Sequence, residues 1–240
     1  MKRLDSYSQH FLRSPRLVAE LIGHSNIRPR DLVLDIGAGS GIISSVLAAR
    51  AGRVIALEAE QSAYELLKRN MAPFDNVKVV RGNVLRYTLP HEPYKVFANI
   101  PFHLSSPIVH LLTESPNSPK AIYLIVQKQF AQKLLADDKH FTSQLGATLA
   151  PWWTVRIRKP LRKTDFSPPP AVDTVLLEMK RREEPLISDA DADRYRDIVQ
   201  NSFEKPAFFA KLPRARVGIS PERTPSQLTS EQWVALYGLR

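Results

Sequence analysis

The chain has 240 residues, with 34 Lys and Arg against 24 Asp and Glu and a formal charge of +10. That length carries one large α/β domain and a small appendage, and the positive balance suits a polyanionic partner. There is no cysteine, which excludes disulfides, thiolate zinc sites and iron–sulfur clusters. The six His show no metal-ligand spacing, so no metal is expected. The polar start lacks the apolar region of a signal peptide, and no run approaches the roughly 20 apolar residues needed to span a bilayer. A cytoplasmic location and no membrane partner are the expectation.

Pro15 to Gly23 has helical spacing of apolar residues. Leu32 to Ile36 then reads as a buried strand running into Gly37-Ala38-Gly39-Ser40-Gly41 and an apolar helix from Ile42 to Ala49. This is the pattern of the first βα unit of a nucleotide-binding sheet. Ile42 stands where a dinucleotide fingerprint wants its third glycine, which disfavours NAD. A turn opened by Asp35, with Gly37 and Gly39 letting backbone approach the ligand, fits a cofactor that carries an amino acid and an adenosine without a pyrophosphate. S-adenosylmethionine is such a cofactor. A second strand, Val54 to Leu57, ends at Glu58, where an acid can accept from ribose hydroxyls. A helix from Ser62 to Asn70 and a third strand, Val77 to Val80, lead to Asn83, whose amide is expected at the adenine edge.

The run Val96-Phe97-Ala98 closes on Asn99-Ile100-Pro101-Phe102. These residues suit chemistry on the exocyclic amine of an extruded base. The N6 lone pair of adenine is delocalised into the ring, so acceptors on its N–H groups are needed to favour a pyramidal nitrogen. The Asn carbonyl and a backbone carbonyl beside the proline supply them, and Phe102 can stack on the base.

Beyond this centre the spacing predicts a helix over Pro107 to Thr113 and strands over Ala121 to Val126, Ala147 to Arg156 and Thr174 to Lys180, the last two forming an antiparallel hairpin edge. The hairpin loop holds Phe166 between Asp165 and Pro168-Pro169-Pro170, and the ring is expected to be exposed and ready to stack. Arg156, Arg158, Lys159, Arg162 and Lys163 precede it, and Lys180, Arg181 and Arg182 follow the last strand. These are the expected phosphate contacts for RNA.

Composition shifts at Arg182-Glu183-Glu184-Pro185, which sets an expected boundary between a domain of residues 1–182 and a helical one of 183–240. In the latter, Tyr195, Ile198, Val199 and Phe203 share a helix face that ends at Pro206. Lys211 to Pro225 reads as loop. A last helix starts at Thr229, with Gln232 completing a capping box.

Taken in order, Ser8-Gln9-His10-Phe11-Leu12, the Asp-x-Gly-x-Gly-x-Gly turn, Glu58, Asn99-Ile100-Pro101-Phe102, Ile122-Tyr123-Leu124-Ile125-Val126-Gln127-Lys128 and the stretch from Phe166 to Val175 resemble the ribosomal RNA adenine N6-methyltransferases, over residues 8 to 180. The chain looks most like the erythromycin-resistance (Erm) enzymes that modify one adenine of 23S rRNA, with the KsgA-type small-subunit dimethyltransferases as close relatives. The resemblance implies an α/β, Rossmann-like methyltransferase fold with a small helical C-terminal domain, S-adenosylmethionine as cofactor, ribosomal RNA as partner and a monomer. It implies cofactor contacts from His10, Leu12, Gly37, Glu58, Asn83 and Asn99, and a target adenine held by Phe102 and Phe166. Two positions depart from the family pattern: His10 stands where Asn is usual, and Asn83 where an acid is usual. A binding factor that keeps the fold without turnover, a DNA adenine methyltransferase and a dehydrogenase are the alternatives. The intact glycine turn, Glu58 and the Asn99 to Phe102 centre weigh against the first, Ile100-Pro101 where the DNA enzymes typically have Pro-Pro against the second, and Ile42 against the third.

Overall fold

The computed structural model describes residues 10–239; Ser8 and Gln9 of the amino-terminal motif lie outside them. The chain divides into two units, the first made of the described residues up to Lys128 with Ile157–Met179, the second of Gln129–Arg156 with the described residues from Lys180 onward. In chain order the first unit contributes β1 (Phe11–Leu12), α1 (Pro15–Gly23), β2 (Leu32–Ile36), α2 (Ile42–Ala48), β3 (Arg53–Glu58), α3 (Gln61–Met71), β4 (Val77–Arg81), β5 (Tyr94–Asn99), α4 (Ser105–Glu114) and β6 (Ala121–Gln127). Next come α5 (Lys128–Lys133) and α6 (Gln144–Leu149), then β7 (Trp153–Leu161), which crosses into the first unit. After β8 (Phe166–Ser167), β9 (Thr174–Arg181) crosses back, and α7 (Ala192–Glu204), α8 (Pro206–Lys211) and α9 (Ser230–Gly238) complete the chain.

Among the described residues, seven strands pair in the order β4-β3-β2-β5-β6-β9-β7. The pairs β2 with β3, β3 with β4, β2 with β5 and β5 with β6 are parallel. Every residue of β2 is buried, as are Ala121 to Val126 of β6, the continuous apolar pattern of strands covered on both faces. The order reverses at β2, and in open α/β sheets a ligand crevice forms beyond the carboxyl ends of the strands at such a point. Glu58 and Asn99 are the last residues of β3 and β5, and Asp35 is the last but one of β2, so the reversal brings them to one edge. Under the sheet, α1 buries Val18, Leu21 and Ile22 in a core shared with Val33, Val54, Phe97 and Tyr123. Ser14 starts that helix by accepting from Leu17 N–H, with Pro15 in the first turn.

The β9–β7 pair is antiparallel at its outer end: Arg182 N–H donates to Trp152 O at 2.8 Å and the Thr154 hydroxyl to Lys180 O at 3.3 Å. β7 is the edge strand, the place in a sheet to which proline is mostly confined, and it carries Pro160.

The second unit is built on aromatic rings. Tyr195 of α7 is fully buried and donates its hydroxyl to Ala147 O at 2.9 Å, while Trp152 and Tyr237 meet its ring edge-on at 5.6 and 5.7 Å. Trp233 stacks on Phe203 at 6.1 Å. Thr229 and Gln232 form the expected capping box of α9.

Three elements differ from the sequence reading. The strand expected from Ala147 starts at Trp153, because Ser143 caps a helix by accepting from Gly146 N–H, so Ala147 is helical. Gly146 is needed there, since a Cβ would stand 2.7 Å from Lys133 O. Pro206 both follows the end of α7 and opens α8. The unit boundary also differs from residue 182, because α6 carries the carbonyl that holds Tyr195 and belongs with α7.

Gly41 caps α2 at φ +94°, and a Cβ there would meet Leu67 Cδ1 and Met71 Cε at 2.8 Å. Gly41→Ala is expected to lower stability by about 1–3 kcal/mol, read from the urea midpoint.

Candidate active site

The crevice holds a cavity of about 220 Å³. Its floor is the glycine turn after β2. Gly37 and Gly39 have φ of +69° and +55°, a region open to glycine, and the N–H groups of Gly37 and Ala38 donate to Leu57 O at 2.8 and 3.0 Å. The turn abuts the second motif, since a Cβ on Gly37 would lie 3.7 Å from Pro101 Cδ.

Glu58 is buried and anchors this floor. Its Oε2 accepts Gly39 N–H at 2.8 Å, and its Oε1 accepts Ala59 and Glu60 N–H at 2.8 and 2.9 Å. A carboxylate has about four lone-pair sites, so this arrangement leaves one on Oε2 for a ribose hydroxyl. Asp35 lies deeper and is fully buried. Its Oδ2 accepts the Ser44 hydroxyl at 2.6 Å, while Oδ1 has no partner among the described residues. Burial pushes its pKa up to about 7; the Ser44 hydrogen bond opposes this and the Glu58 charge adds to it. Asn83 lines the cavity with its Oδ1 occupied by Leu85 N–H at 3.0 Å, so its amide N–H groups are what it can offer an adenine ring nitrogen.

Asn99 is the geometric centre. Its Nδ2 donates one N–H to His10 O at 2.6 Å, which orients the carboxamide and leaves Oδ1 as an acceptor. Pro101 O is spent on Leu104 N–H at 2.9 Å in the turn from Phe102 to Leu104. The carbonyl beside the proline that is left for the second acceptor is that of Ile100, a residue of the cavity lining. Phe102 lines the cavity, half-buried, with its ring centroid 5.5 Å from that of His10.

Two expected residues stand elsewhere. Phe166 is fully buried in the core with Leu12, Leu161 and Leu176, not exposed on a loop. The cause is that β8 pairs with β1, Leu12 opposite Phe166, and both side chains turn inward. Leu12 likewise does not line the cavity. Strand alternation turns its neighbour Phe11 outward, where the ring lies 3.0 Å from where a Cβ on Gly39 would stand. Phe11 and the exposed His103 are cavity residues that the sequence reading missed. Alternation from a buried Leu12 is the signal that would have found Phe11.

The basic residues are divided between the units. Arg158, Lys159, Arg162 and Lys163 belong to the first, Arg156, Lys180, Arg181 and Arg182 to the second. On β7, Arg156 and Arg158 are exposed, while Lys159, on the other face, pairs with Glu20. Arg158 lies 3.9 Å from Glu178, Arg181 3.6 Å from Asp189, and Lys163 donates to Ala171 O at 2.7 Å. Arg182 Nε donates to Ala150 O at 3.1 Å.

A model of the family described as ribosomal RNA adenine dimethylase matches residues 2–207. The chain belongs to that family. It is an rRNA adenine N6-methyltransferase. This dimethylase-family protein is 27% identical to the rRNA adenine N-6-methyltransferase of Bacillus licheniformis over 95% of its own chain and 84% of that one. It is 28% identical to the ribosomal RNA small subunit methyltransferase A of Streptococcus thermophilus over 82% and 72%. The crystal structure of the 23S rRNA methyltransferase ErmE is similar with a TM-score of 0.84 at 27% identity, covering 95% of this chain and 98% of that one. A dimethyladenosine transferase from Plasmodium falciparum shares the fold with a TM-score of 0.79 at 21% identity. Membership implies S-adenosylmethionine as methyl donor. The residues present fit it: two glycines that let backbone approach, an orphaned buried Asp35 Oδ1, and an open acceptor on Glu58. Among the described residues no helix is long and apolar enough to cross a membrane.

Asp35 gives the fold a pH dependence. Its folded pKa is raised above the ordinary aspartate value of 3.8, so its contribution to stability is complete below that value and is lost as pH rises through about 7. Asp35→Asn is expected to flatten the pH dependence of the urea midpoint between about pH 4 and pH 7, with the largest gain relative to wild type at the upper end.

Proposed function

We propose that this protein methylates N6 of one adenine in 23S rRNA, and that the modified base obstructs macrolide-type antibiotics. The observation that carries the chemistry is the orientation of Asn99. With Nδ2 held by His10 O, Asn99 Oδ1 and Ile100 O give two acceptors for the two N–H groups of an exocyclic amine. Bonds to both favour the pyramidal nitrogen whose lone pair attacks. S-adenosylmethionine supplies an electrophilic methyl on a sulfonium. The protein's own contribution is position and electrostatics: Phe102 holds the flipped ring by stacking, and the acceptors stabilise positive charge growing on nitrogen. The nitrogen sheds its proton after transfer, so the site needs no strong base.

The choice of 23S rRNA is supported by the extent of the likeness. Matches to proteins named rRNA adenine N-6-methyltransferase run over 95% and 96% of this chain. Those to small-subunit methyltransferases run over 82% and 83%. The small-subunit reading is the second one, favoured by identities of 28% and 30% to those enzymes.

Labelled S-adenosylmethionine and protein-free 23S or 16S rRNA, with the modified position mapped by primer-extension arrest, separate the two. Label on one 23S adenine is the expected result; label on 16S overturns the proposal in favour of the second reading. Asn99→Ala is expected to lower transfer by about a hundredfold or more while RNA retention on filters stays near wild type. Phe102→Tyr should keep most of the activity that Phe102→Ala loses, and equal losses would remove the stacking role.

A further inference from the structure

His10 joins three segments that are remote in sequence. Its main-chain oxygen accepts Asn99 Nδ2 at 2.6 Å, its Nδ1 lies 2.9 Å from Pro168 O, and its ring packs on Phe102 with centroids 5.5 Å apart and planes at 32°. A carbonyl oxygen only accepts, so Nδ1 is the donor of this bond. The bond to Pro168 fixes where residue 10 lies. The main chain of residue 10 in turn fixes which end of the Asn99 carboxamide faces the cavity. A flipped carboxamide would set an N–H against the N–H of an incoming amine, and the attacking nitrogen would lose an acceptor.

We infer that His10 is a positioning residue for methyl transfer, acting through Asn99 and Phe102 by setting the acceptor end of one and the ring plane of the other. This rests on the adenine-N6 reading of the site and goes beyond the cofactor contact that the family resemblance implies for this position. Three substitutions separate its parts. The amide nitrogen of Asn falls where imidazole Nδ1 does, so His10→Asn keeps the donor to Pro168 O and loses the ring. His10→Phe keeps a ring against Phe102 and loses the donor. His10→Ala loses both.

The test uses two readouts on the same full-length proteins. The first needs no RNA: the carboxamide proton of Asn99 bonded to His10 O, assigned in ¹H–¹⁵N spectra by its loss in Asn99→Ala, is expected to be protected from exchange in wild type. It should lose protection in His10→Ala and His10→Phe and regain it in His10→Asn. The second compares kcat for rRNA methylation with the calorimetric Kd for S-adenosylhomocysteine. In His10→Ala, kcat should fall about tenfold or more while Kd stays within about threefold, and His10→Asn should recover part of that loss. Unchanged Asn99 protection in His10→Ala overturns the inference. So does a loss of S-adenosylhomocysteine affinity equal to the loss in kcat, which would make His10 a plain cofactor ligand. If wild type methylates neither 23S nor 16S rRNA while Asn99 protection follows the variants as described, the tie to Asn99 stands and the substrate reading is what fails.

Discussion

A buried charge governs the carboxyl edge of this sheet. The Glu58 carboxylate has almost no exposure, and such a group is tolerable only when its oxygens are met by donors. The chain meets them with main-chain N–H groups from both sides of the crevice, Gly39 from the turn after β2 and Ala59 and Glu60 from the chain leaving β3. The turn is therefore drawn against the end of β3, and its left-handed glycines follow from that pull. With the turn in place, Pro101 has a surface to rest on, and Asn99 and Phe102 are set at the rim. The acid that a reader would assign to ligand binding is at the same time the clamp that shapes the cavity.

Much of this was legible in the sequence because it is local. The buried run of β2, the glycine turn, the helix after it and Glu58 at the end of β3 all lie between Leu32 and Glu58, and each has its own signature in period or residue type. The Asn99 to Phe102 centre was legible from its chemistry alone. What could not be read was pairing across long separations. β1 and β8 lie at opposite ends of the first unit's sequence, and nothing near Phe166 announces that Leu12 will sit opposite it. The prolines after Phe166 suggested an exposed loop, yet two strand residues suffice to turn the ring inward. The same pairing exchanged Leu12 for Phe11 as the residue facing the cavity. The helix at Ala147 was hidden for a related reason. Its sequence favours neither state strongly, and packing on α7 decides it.

The two units rest on different physics. The first is held by apolar strands covered by helices, with polar groups gathered at the strand ends. The second is held by large rings meeting edge-on or stacked around Tyr195 and Trp233. Aromatic rings bury much surface per residue, which lets a small unit form a core. The guanidinium of Arg214 extends this core by lying 4.7 Å from the Phe209 ring centre.

Pro160 in the edge strand β7 has an effect beyond its own position. An exposed strand edge is a template on which another chain can add a strand, and proline with alternating charge is among the ways a protein blunts it. β7 carries Pro160 and, two and four residues before it, the exposed Arg158 and Arg156. A second chain approaching along this edge would meet a proline ring and two cations. Proline and positive charge at an edge are features that discourage edge-to-edge pairing, so these three residues work against growth of the sheet on the β7 side.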